Sequence, residues 1–370
     1  MNFELSEEQA MLRDASRDLL ADRAPIERVR AWLDGDEDVD PEVWRLMAEL
    51  GWPGLGLPEE YDGAGQGVVE LALVAEELGR ALGRGPFVPT AIVGRALAAS
   101  GSSRLRAETL PALAAGSDWA TWAFAEPHAP WTLDGVHATA DAFVLDGVKT
   151  AVQDAGGARW LLVTARHDGV PALFLVDRDA PGITIRRQRV LDQTRAFYEV
   201  RFEGVRVPHE RRLDAGPEEI QRLLDEASVL RCADALGVME RMLELTVEHT
   251  TARVQFERPI GSFQAVKHAS ADIALLVHGT RAATYYAAMA ADAGADDSAR
   301  AACAAASYAS AGAGEVAARA LQLHGGIGFT WEHDLHLHLR RARADSVLYG
   351  DAAVHRDRLC GLLRPSPASA

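Results

Sequence analysis

The stretch RVQFERPIGSFQAVKH, residues 253–268, interrupts a region of otherwise helical composition and decides how the rest of the chain is interpreted. It places Arg253, Arg258 and the aromatic ring of Phe256 around a helix break at Pro259. Arginine forks match phosphate oxygens, and an aromatic ring can stack on an adenine. The stretch therefore indicates either a clamp for a phosphate-bearing nucleotide or a charged loop between two helices of a bundle.

A second stretch, QLHGGIGFTWE at residues 322–332, places three glycines directly after a helical segment. It lacks the strand-to-helix context of a dinucleotide-binding fingerprint, so we do not expect a Rossmann domain here. Gly325 and Gly326 could still expose backbone N–H groups to a pyrophosphate. The alternative is an ordinary helix C-cap followed by a turn.

Composition divides the 370 residues into three zones. Residues 1–115 carry apolar side chains at helical spacing and predict an N-terminal helical domain. Residues 116–214 alternate short β-type runs with Gly and Asp turn signals, which predicts a compact antiparallel β domain. Residues 215–370 are rich in Ala, Leu, Glu and Arg and predict a bundle of about four long helices.

Local signals predict individual elements within these zones. Ser6, followed by two glutamates, predicts the N-cap of the first helix. Pro41 predicts an early position of a second helix, and residues 68–82 predict a third with one apolar face. The strands predicted in the middle zone are residues 140–145, 160–164, 172–176, 183–187 and 196–202.

Charge and cysteine content exclude several classes of function. The chain has 38 basic and 54 acidic residues and a net charge of −16, so it has no fold-wide basic surface for nucleic acid or an anionic membrane. Cys232, Cys303 and Cys360 form no CxxC pair, which argues against a disulfide framework or a thiolate zinc site. We find neither a signal peptide nor a run of about 18 apolar residues. These features predict a cytoplasmic protein.

Other catalytic motifs are weak or absent. His333, His336 and His338 have no cysteine nearby, and we predict a polar helix face for them and no metal site. The sequence has no nucleophile elbow of the Gly-x-Ser-x-Gly type and no P-loop, which argues against serine-hydrolase and P-loop NTPase chemistry.

The three zones and their motifs, taken in order, resemble the acyl-CoA dehydrogenase superfamily over essentially the whole chain. The two stretches quoted above are the most specific pieces, and YDGAG (61–65), AEP (125–127) and GVK (147–149) are weaker ones. The resemblance implies an α+β fold with an N-terminal helical domain, a middle antiparallel, barrel-like β domain and a C-terminal four-helix bundle. It also implies FAD as the cofactor, an acyl-CoA thioester as the substrate and an electron-transfer flavoprotein as the electron acceptor. Proteins of this family are dimers or tetramers in which the adenine end of FAD reaches a neighbouring subunit.

The resemblance also implies which residues contact the cofactor. Arg253 and Phe256 would meet the pyrophosphate and adenine of a partner subunit's FAD. The other residues implied at this clamp are Gln264, Gln322, Gly325 and Gly326. The backbone facing the flavin ring would come from Trp122, Phe124 and Ala125.

The sequence departs from the family at the catalytic base. Family members use a glutamate to remove the proton α to the thioester carbonyl, before a hydride passes to the flavin. At the common site, Tyr349 is followed here by Gly350, and the alternative helical site holds Ala227. The adjacent carboxylates, Glu226 and Asp351, are the candidate catalytic residues. Glu226 is displaced by about 100° of helix rotation, and Asp351 is shorter than glutamate and lies one position late.

The positions that the resemblance places beside the flavin ring differ from the family more than those it places at the adenine and pyrophosphate. Ala125, Ala151 and Gln153 stand where the family often has threonine, tryptophan and threonine. We therefore predict an acyl-CoA dehydrogenase subunit for α,β-desaturation of an acyl-CoA thioester, and favour a base-poor partner in a heteromer. A self-sufficient enzyme that uses Glu226 or Asp351 is one alternative. A flavin-dependent monooxygenase or N-hydroxylase on the same fold, and a non-catalytic structural subunit, are the others.

Overall fold

The computed structural model describes residues 4–33, 35 and 39–364, and their first part is helical. Helix α1 begins as predicted, because Ser6 Oγ accepts a hydrogen bond from the Gln9 N–H at 3.1 Å while Gln9 Oε1 accepts one from the Ser6 N–H at 3.0 Å. Asp40 caps the helix that Pro41 opens. The helices of this part are α1 (Glu7–Arg23), α2 (Ile26–Ala31), α3 (Pro41–Glu49), α4 (Val68–Ala81), α5 (Phe87–Ser100) and α6 (Ser103–Ala114).

The middle part contains two three-stranded sheets, with strand orders β1-β3-β4 and β2-β6-β5. The strands are β1 (Ala120–Ala123), β2 (Val144–Gln153), β3 (Trp160–His167), β4 (Val170–Asp177), β5 (Ile183–Arg187) and β6 (Phe197–Arg206). Every pair is antiparallel except β1–β3, in which Ala120 pairs with Trp160 in parallel. Apolar side chains from both sheets, including Val163, Phe174 and Phe202, form one buried cluster.

The structure corrects one predicted strand and adds one that was not predicted. The first predicted strand, 140–145, begins only at Val144, because residues Asp141–Phe143 form a turn. Ala142 and Phe143 have positive φ angles of 49° and 60° there, which a β-strand cannot contain. Strand β1 was not predicted at all, since its four residues become a strand only by pairing with β3.

The last part contains three long helices and two short ones, where about four long helices were predicted. Its elements are α7 (Pro217–Ala252), β7 (Val254–Gln255), β8 (Arg258–Pro259), α8 (Gln264–Asp292), α9 (Ser298–His324), α10 (Leu335–Asp345) and α11 (Ala352–Leu363). Gly325, with a φ of 63°, ends α9 and turns the chain back. Tyr349 and Gly350, with φ angles of 58° and 109°, make a second reversal before α11.

Helices α4 and α7 join the first and last parts by direct backbone contact. A Cβ atom built on Gly237 would lie 1.8 Å from the carbonyl oxygen of Glu76, and one built on Gly79 would lie 2.0 Å from that of Asp234. Only glycine permits this approach. Among the described helices, none is both long and apolar enough to cross a lipid bilayer.

Candidate active site and cofactor clamp

The β7–β8 hairpin presents the first half of the predicted clamp to solvent. Arg253 ends α7, and its N–H donates to the carbonyl oxygen of His249 at 2.8 Å. Phe256 and Glu257 form the hairpin turn with positive φ angles of 54° and 64°. This turn directs the ring of Phe256 outward, leaving the residue 85% exposed. Arg253 and Gln264 are exposed as well.

The second half of the clamp is an open glycine turn after α9. Cβ atoms built on Gly325 and Gly326 would have no neighbour within 4 Å. The backbone of these residues can therefore be approached closely by a ligand. Gln322, on the last turn of α9, is also accessible from solvent.

Three histidines bring the two halves together. The ring of His249, one turn before Arg253, stacks on His324 with centroids 4.6 Å apart, and His324 contacts His333 at 4.8 Å. Burial, followed by the charges of His333 and Arg253, lowers the pKa of His249, and burial lowers the pKa of His324. The open glycine backbone, the free aromatic face and the exposed guanidinium fit the pyrophosphate and adenine of FAD. The clamp faces solvent.

The residues expected beside the flavin ring lie in the interior and contact their own chain. Phe124 and Ala125 are buried, and their carbonyl oxygens accept hydrogen bonds from Lys149 Nζ at 3.0 Å and the Thr150 N–H at 2.9 Å. Trp122 Nε1 donates to Thr164 Oγ1 at 2.9 Å. Burial lowers the pKa of Lys149 to about 8, although the Glu126 carboxylate lies 2.7 Å away.

An aromatic cluster of Trp122, Phe124, Trp131 and Tyr349 covers this region. Phe124 and Trp131 stack with centroids 5.8 Å apart, and Trp131 meets Tyr349 edge-on at 5.2 Å. Trp122 lies 6.5 Å from Tyr349, and the Tyr349 hydroxyl donates to Gln153 Oε1 at 3.2 Å. The cluster therefore packs ring against ring where the resemblance implies the flavin, and Trp131 also lines a neighbouring open cleft.

The two candidate bases are far from equivalent and line different clefts. Glu226 accepts a hydrogen bond from Arg95 Nε at 2.6 Å and lines a cleft of about 520 Å³ between the loop before α4, α5 and α7. Asp351 caps α11, accepting the N–H groups of Ala353 and Val354 at 2.9 Å each. It lines an apolar cleft of about 700 Å³ between the middle part and α10–α11. The structure does not bring Glu226 and Asp351 together.

At the common base position, the backbone conformation and the surroundings of Gly350 favour glycine. Its φ of 109° is strained for any other residue, and a Cβ atom built on it would lie 2.9 Å from His355 Nε2. The alternative position, Ala227, is completely buried. Sequence reasoning missed His355, whose contact with Gly350 is set by the backbone reversal before α11.

The backbone reversal at Tyr349 and Gly350 is called the Gly350 corner below. Sequence reasoning also missed a buried cluster of charged residues beside this corner. Asp192 and Arg195, from the loop before β6, meet Arg341 and Asp345 of α10 and Asp234 of α7. Arg195 Nη2 lies 2.5 Å from Asp345 Oδ1, and Arg341 Nη1 lies 3.1 Å from Asp234 Oδ2. Burial, with repulsion from Asp234, raises the pKa of Asp345 to about 8. These residues are widely separated in sequence, so no local pattern could reveal the cluster.

The three histidines considered as metal ligands have different neighbours. His333 Nδ1 accepts the Leu335 N–H at 3.1 Å, and His336 stacks on Trp331 at 4.7 Å. His338 is buried, with Nε2 3.3 Å from the carbonyl oxygen of Arg80. Within residues 4–33, 35 and 39–364, no group of three histidine, cysteine or acidic side chains is arranged to hold a metal ion.

Comparisons with known proteins match nearly the whole chain. The acyl-CoA dehydrogenase N-terminal domain model matches residues 6–117, and the C-terminal domain model matches residues 214–360. The acyl-CoA dehydrogenase IpdE2 of Mycolicibacterium smegmatis is 33% identical over 96% of this chain and 98% of the relative. The solved structure of a variant of the Tcur3481–Tcur3483 steroid ACAD has a TM-score of 0.89 at 34% identity, covering 96% of this chain and 98% of that one. The ChsE4–ChsE5 complex from Mycobacterium tuberculosis has a TM-score of 0.92 at 27% identity and covers all of both chains.

Proposed function

The chain belongs to the acyl-CoA dehydrogenase family of FAD-dependent oxidoreductases, and we propose that it is the base-poor subunit of a heteromeric enzyme that desaturates an acyl-CoA thioester. A second family member supplies the glutamate base and the pocket for the flavin ring. This chain supplies the outward-facing clamp for the pyrophosphate and adenine of that partner's FAD.

The observation that carries the proposal is the conformation of Gly350. A base lost by simple substitution would leave a backbone that still accepts glutamate. Here the φ of 109° is strained for any residue but glycine, and a Cβ atom would force the His355 ring to shift. The corner is built around glycine, which is what a subunit without a base requires.

The aromatic cluster supports the same conclusion. Trp122, Phe124 and Tyr349 are almost fully buried against one another and against Trp131. Uncovering them would cost several kcal/mol, since fully burying one large apolar side chain contributes about 1.5–3 kcal/mol. A subunit that holds its own flavin ring would have to expose these faces.

Both candidate bases already have other roles in the chain. The Glu226 carboxylate pairs with Arg95, and the Asp351 carboxylate holds the first turn of α11. Neither carboxylate hydrogen-bonds to a residue of the aromatic cluster in these contacts. Their positions support a partner subunit over the self-sufficient alternative.

The clamp residues have the chemical groups needed to bind the pyrophosphate and the adenine of FAD. FAD supplies the hydride acceptor in this family. The Arg253 guanidinium can donate paired N–H groups to phosphate oxygens, and the N–H groups of Gly325 and Gly326 can approach the same oxygens. The free face of Phe256 can cover an adenine. All four residues are exposed, as a site shared with another chain requires.

The relatives suggest the assembly and the first substrate to test. Two of the similar structures are named as pairs of different chains, Tcur3481–Tcur3483 and ChsE4–ChsE5. The former is named a steroid ACAD, so a steroid-derived acyl-CoA is the first thioester to try. An electron-transfer flavoprotein is the acceptor expected for this chemistry.

The test compares the chain alone with the chain co-expressed with a family member that carries glutamate after the corresponding tyrosine. Flavin per chain is measured from the visible spectrum, before and after anaerobic addition of acyl-CoA thioesters. We expect colourless protein alone, and one flavin per pair of chains, bleached by a thioester, in the complex. Near-stoichiometric flavin on the isolated chain, bleached by a thioester, would refute the proposal. Bound flavin that needs NAD(P)H and oxygen to turn over would favour the monooxygenase alternative.

A further inference from the structure

One fully buried arginine close to the Gly350 corner has no counter-ion in the chain. Arg231 on α7 is 1% exposed, and its Nη1 donates to Ser310 Oγ at 2.9 Å. Among the described residues, Nε and Nη2 of Arg231 have no hydrogen-bond acceptor, and no carboxylate is paired with it. Four of the guanidinium's five N–H bonds are therefore unmatched.

Arg341 shows how this fold normally treats a buried arginine. It is also 1% exposed, yet its guanidinium contacts the carboxylates of Asp192 and Asp234 and donates to Thr194 Oγ1 and the Gly83 carbonyl oxygen. The contrast isolates Arg231 as the exception. A guanidinium cannot lose its proton, and an unpaired buried charge is costly. Something must therefore compensate the charge of Arg231.

Three side chains on which the charge of Arg231 acts are neutral at pH 7. Its charge acts on Cys232, Tyr349 and His355. Burial raises the pKa values of the Cys232 thiol and the Tyr349 hydroxyl, and burial lowers that of His355 to about 4. The Asp345 carboxyl, which also acts on Cys232, has its pKa raised to about 8 and is engaged by Arg195. Asp345 thus forms its ion pair with Arg195, and the other three side chains supply no negative charge to Arg231.

We propose that Arg231 binds a small monovalent anion in the protein interior, beside His355 and behind Gly350. His355 is 5% exposed and its Nε2 has no partner among the described residues, so its Nε2–H tautomer offers a second donor. None of the clefts described above is lined by Arg231. Because both donors are buried away from these clefts, the proposed ligand is an ion of chloride's or formate's size and not a phosphate ester.

The position of this ion explains how the corner tolerates glycine. Family members hold a glutamate carboxylate at the position of Gly350. In this chain the bound anion supplies a negative charge close to that position, without a side chain on Gly350. The inference is independent of the partner-subunit proposal, because it concerns only the interior of this chain.

The first test is thermal unfolding of the whole chain in sodium chloride, sodium bromide or sodium gluconate at one ionic strength. A ligand that binds only the folded state raises the Tm. We expect chloride and bromide to raise the Tm by about 2–4 °C over gluconate, whose anion is too large to enter. Equal Tm values in the three salts would overturn the proposal.

Two variants separate this site from general salt effects. Arg231→Met removes the charge with little change in volume, and we expect it to abolish the difference between halide and gluconate. Arg222→Met, on the same helix with a side chain 70% exposed, is the matched control and should keep the difference. A halide effect that persists in Arg231→Met would also overturn the proposal.

Bromide-containing crystals give a direct readout. We expect an anomalous peak within hydrogen-bond distance of Arg231 Nε or Nη2. Ordered water alone at that place, or bromide only at surface positions as an adventitious ion, would refute the site.

Discussion

The clamp and the Gly350 corner belong to the same family pattern, yet the structure treats them in opposite ways. The clamp faces solvent, with the Phe256 ring free and nothing packed over Gly325 or Gly326. The corner faces inward, where Tyr349 is packed into the aromatic cluster and Gly350 is closed by His355. The chain therefore exposes the nucleotide-binding motif while its own side chains close the position of the base.

This difference teaches that the two halves of a shared cofactor site can diverge separately. Under the partner-subunit proposal, residues that serve the partner's cofactor are constrained by the partner. Residues around this chain's own flavin position are then free to become ordinary core. Burial of Trp122 and Phe124 against Trp131 is the expected result, since aromatic packing adds stability that an open cofactor site cannot.

The largest effect on the contrast between clamp and corner is expected from restoring a glutamate at position 350. Gly350→Glu places a side chain at a φ of 109° and against His355 Nε2. Strain and overpacking should together lower the free energy of unfolding by about 3 kcal/mol, without creating thioester dehydrogenation in the isolated chain. Thermal unfolding and anaerobic flavin bleaching measure the two effects.

A double variant controls for steric conflict. Gly350→Glu with His355→Ala should regain part of the lost stability, because the contact is removed while the backbone strain remains. A stable, active single variant would show that the corner is an ordinary base site and would end the contrast with the clamp.

The next largest effect is expected on FAD affinity, when the clamp residue Arg253 is changed. Arg253→Ala should weaken FAD binding by the heteromeric complex by about 10–100-fold, since a hydrogen bond to a charged group contributes about 1.5–3 kcal/mol. The Tm of the isolated chain should not change, because the side chain is exposed. Flavin retention on dilution measures the affinity, and Arg222→Ala is the matched surface control. Unchanged retention would remove Arg253 from the clamp.

Much of the fold could be predicted from sequence because the relevant signals are local. Ser6 and Pro41 marked helix starts through interactions within one turn, and the two glycine- and arginine-containing stretches identified the family. The aromatic cluster could not be predicted in this way. Trp131 contacts Phe124 and Tyr349, and the latter contact joins residues far apart in sequence.

The candidate site shows the same division. The absence of glutamate at Gly350 was visible in the sequence, whereas the positive φ and the His355 contact required the fold. The roles predicted for the clamp residues stay predictions until FAD binding is measured, although the structure places both halves on one exposed face around His324.

A smaller, pH-dependent effect is expected from the charge cluster beside the corner. The pKa of Asp345 is raised from 3.8 to about 8 in the folded chain, so the folded state holds a proton that the unfolded state releases. Stability from this group is complete below pH 4 and is lost as pH rises through about 8. Asp345→Asn should flatten this part of the profile in urea unfolding. A parallel profile in wild type and variant would contradict the assignment, and Asp351→Asn serves as an exposed control.

The smallest effect is expected from the two carboxylates that sequence proposed as bases. Glu226→Gln and Asp351→Asn, alone or together, should leave kcat of the heteromeric complex within about twofold of wild type. Glu226 loses only a partly exposed ion pair with Arg95, worth about 1 kcal/mol or less, and asparagine can still cap α11 at position 351. Replacing the partner's glutamate by glutamine is the positive control and should abolish turnover. A large loss of kcat with unchanged KM in either variant of this chain would identify that carboxylate as a working base. If that carboxylate were Asp351, the corner would be part of a second active site, and the contrast between an open clamp and a closed catalytic half would fail.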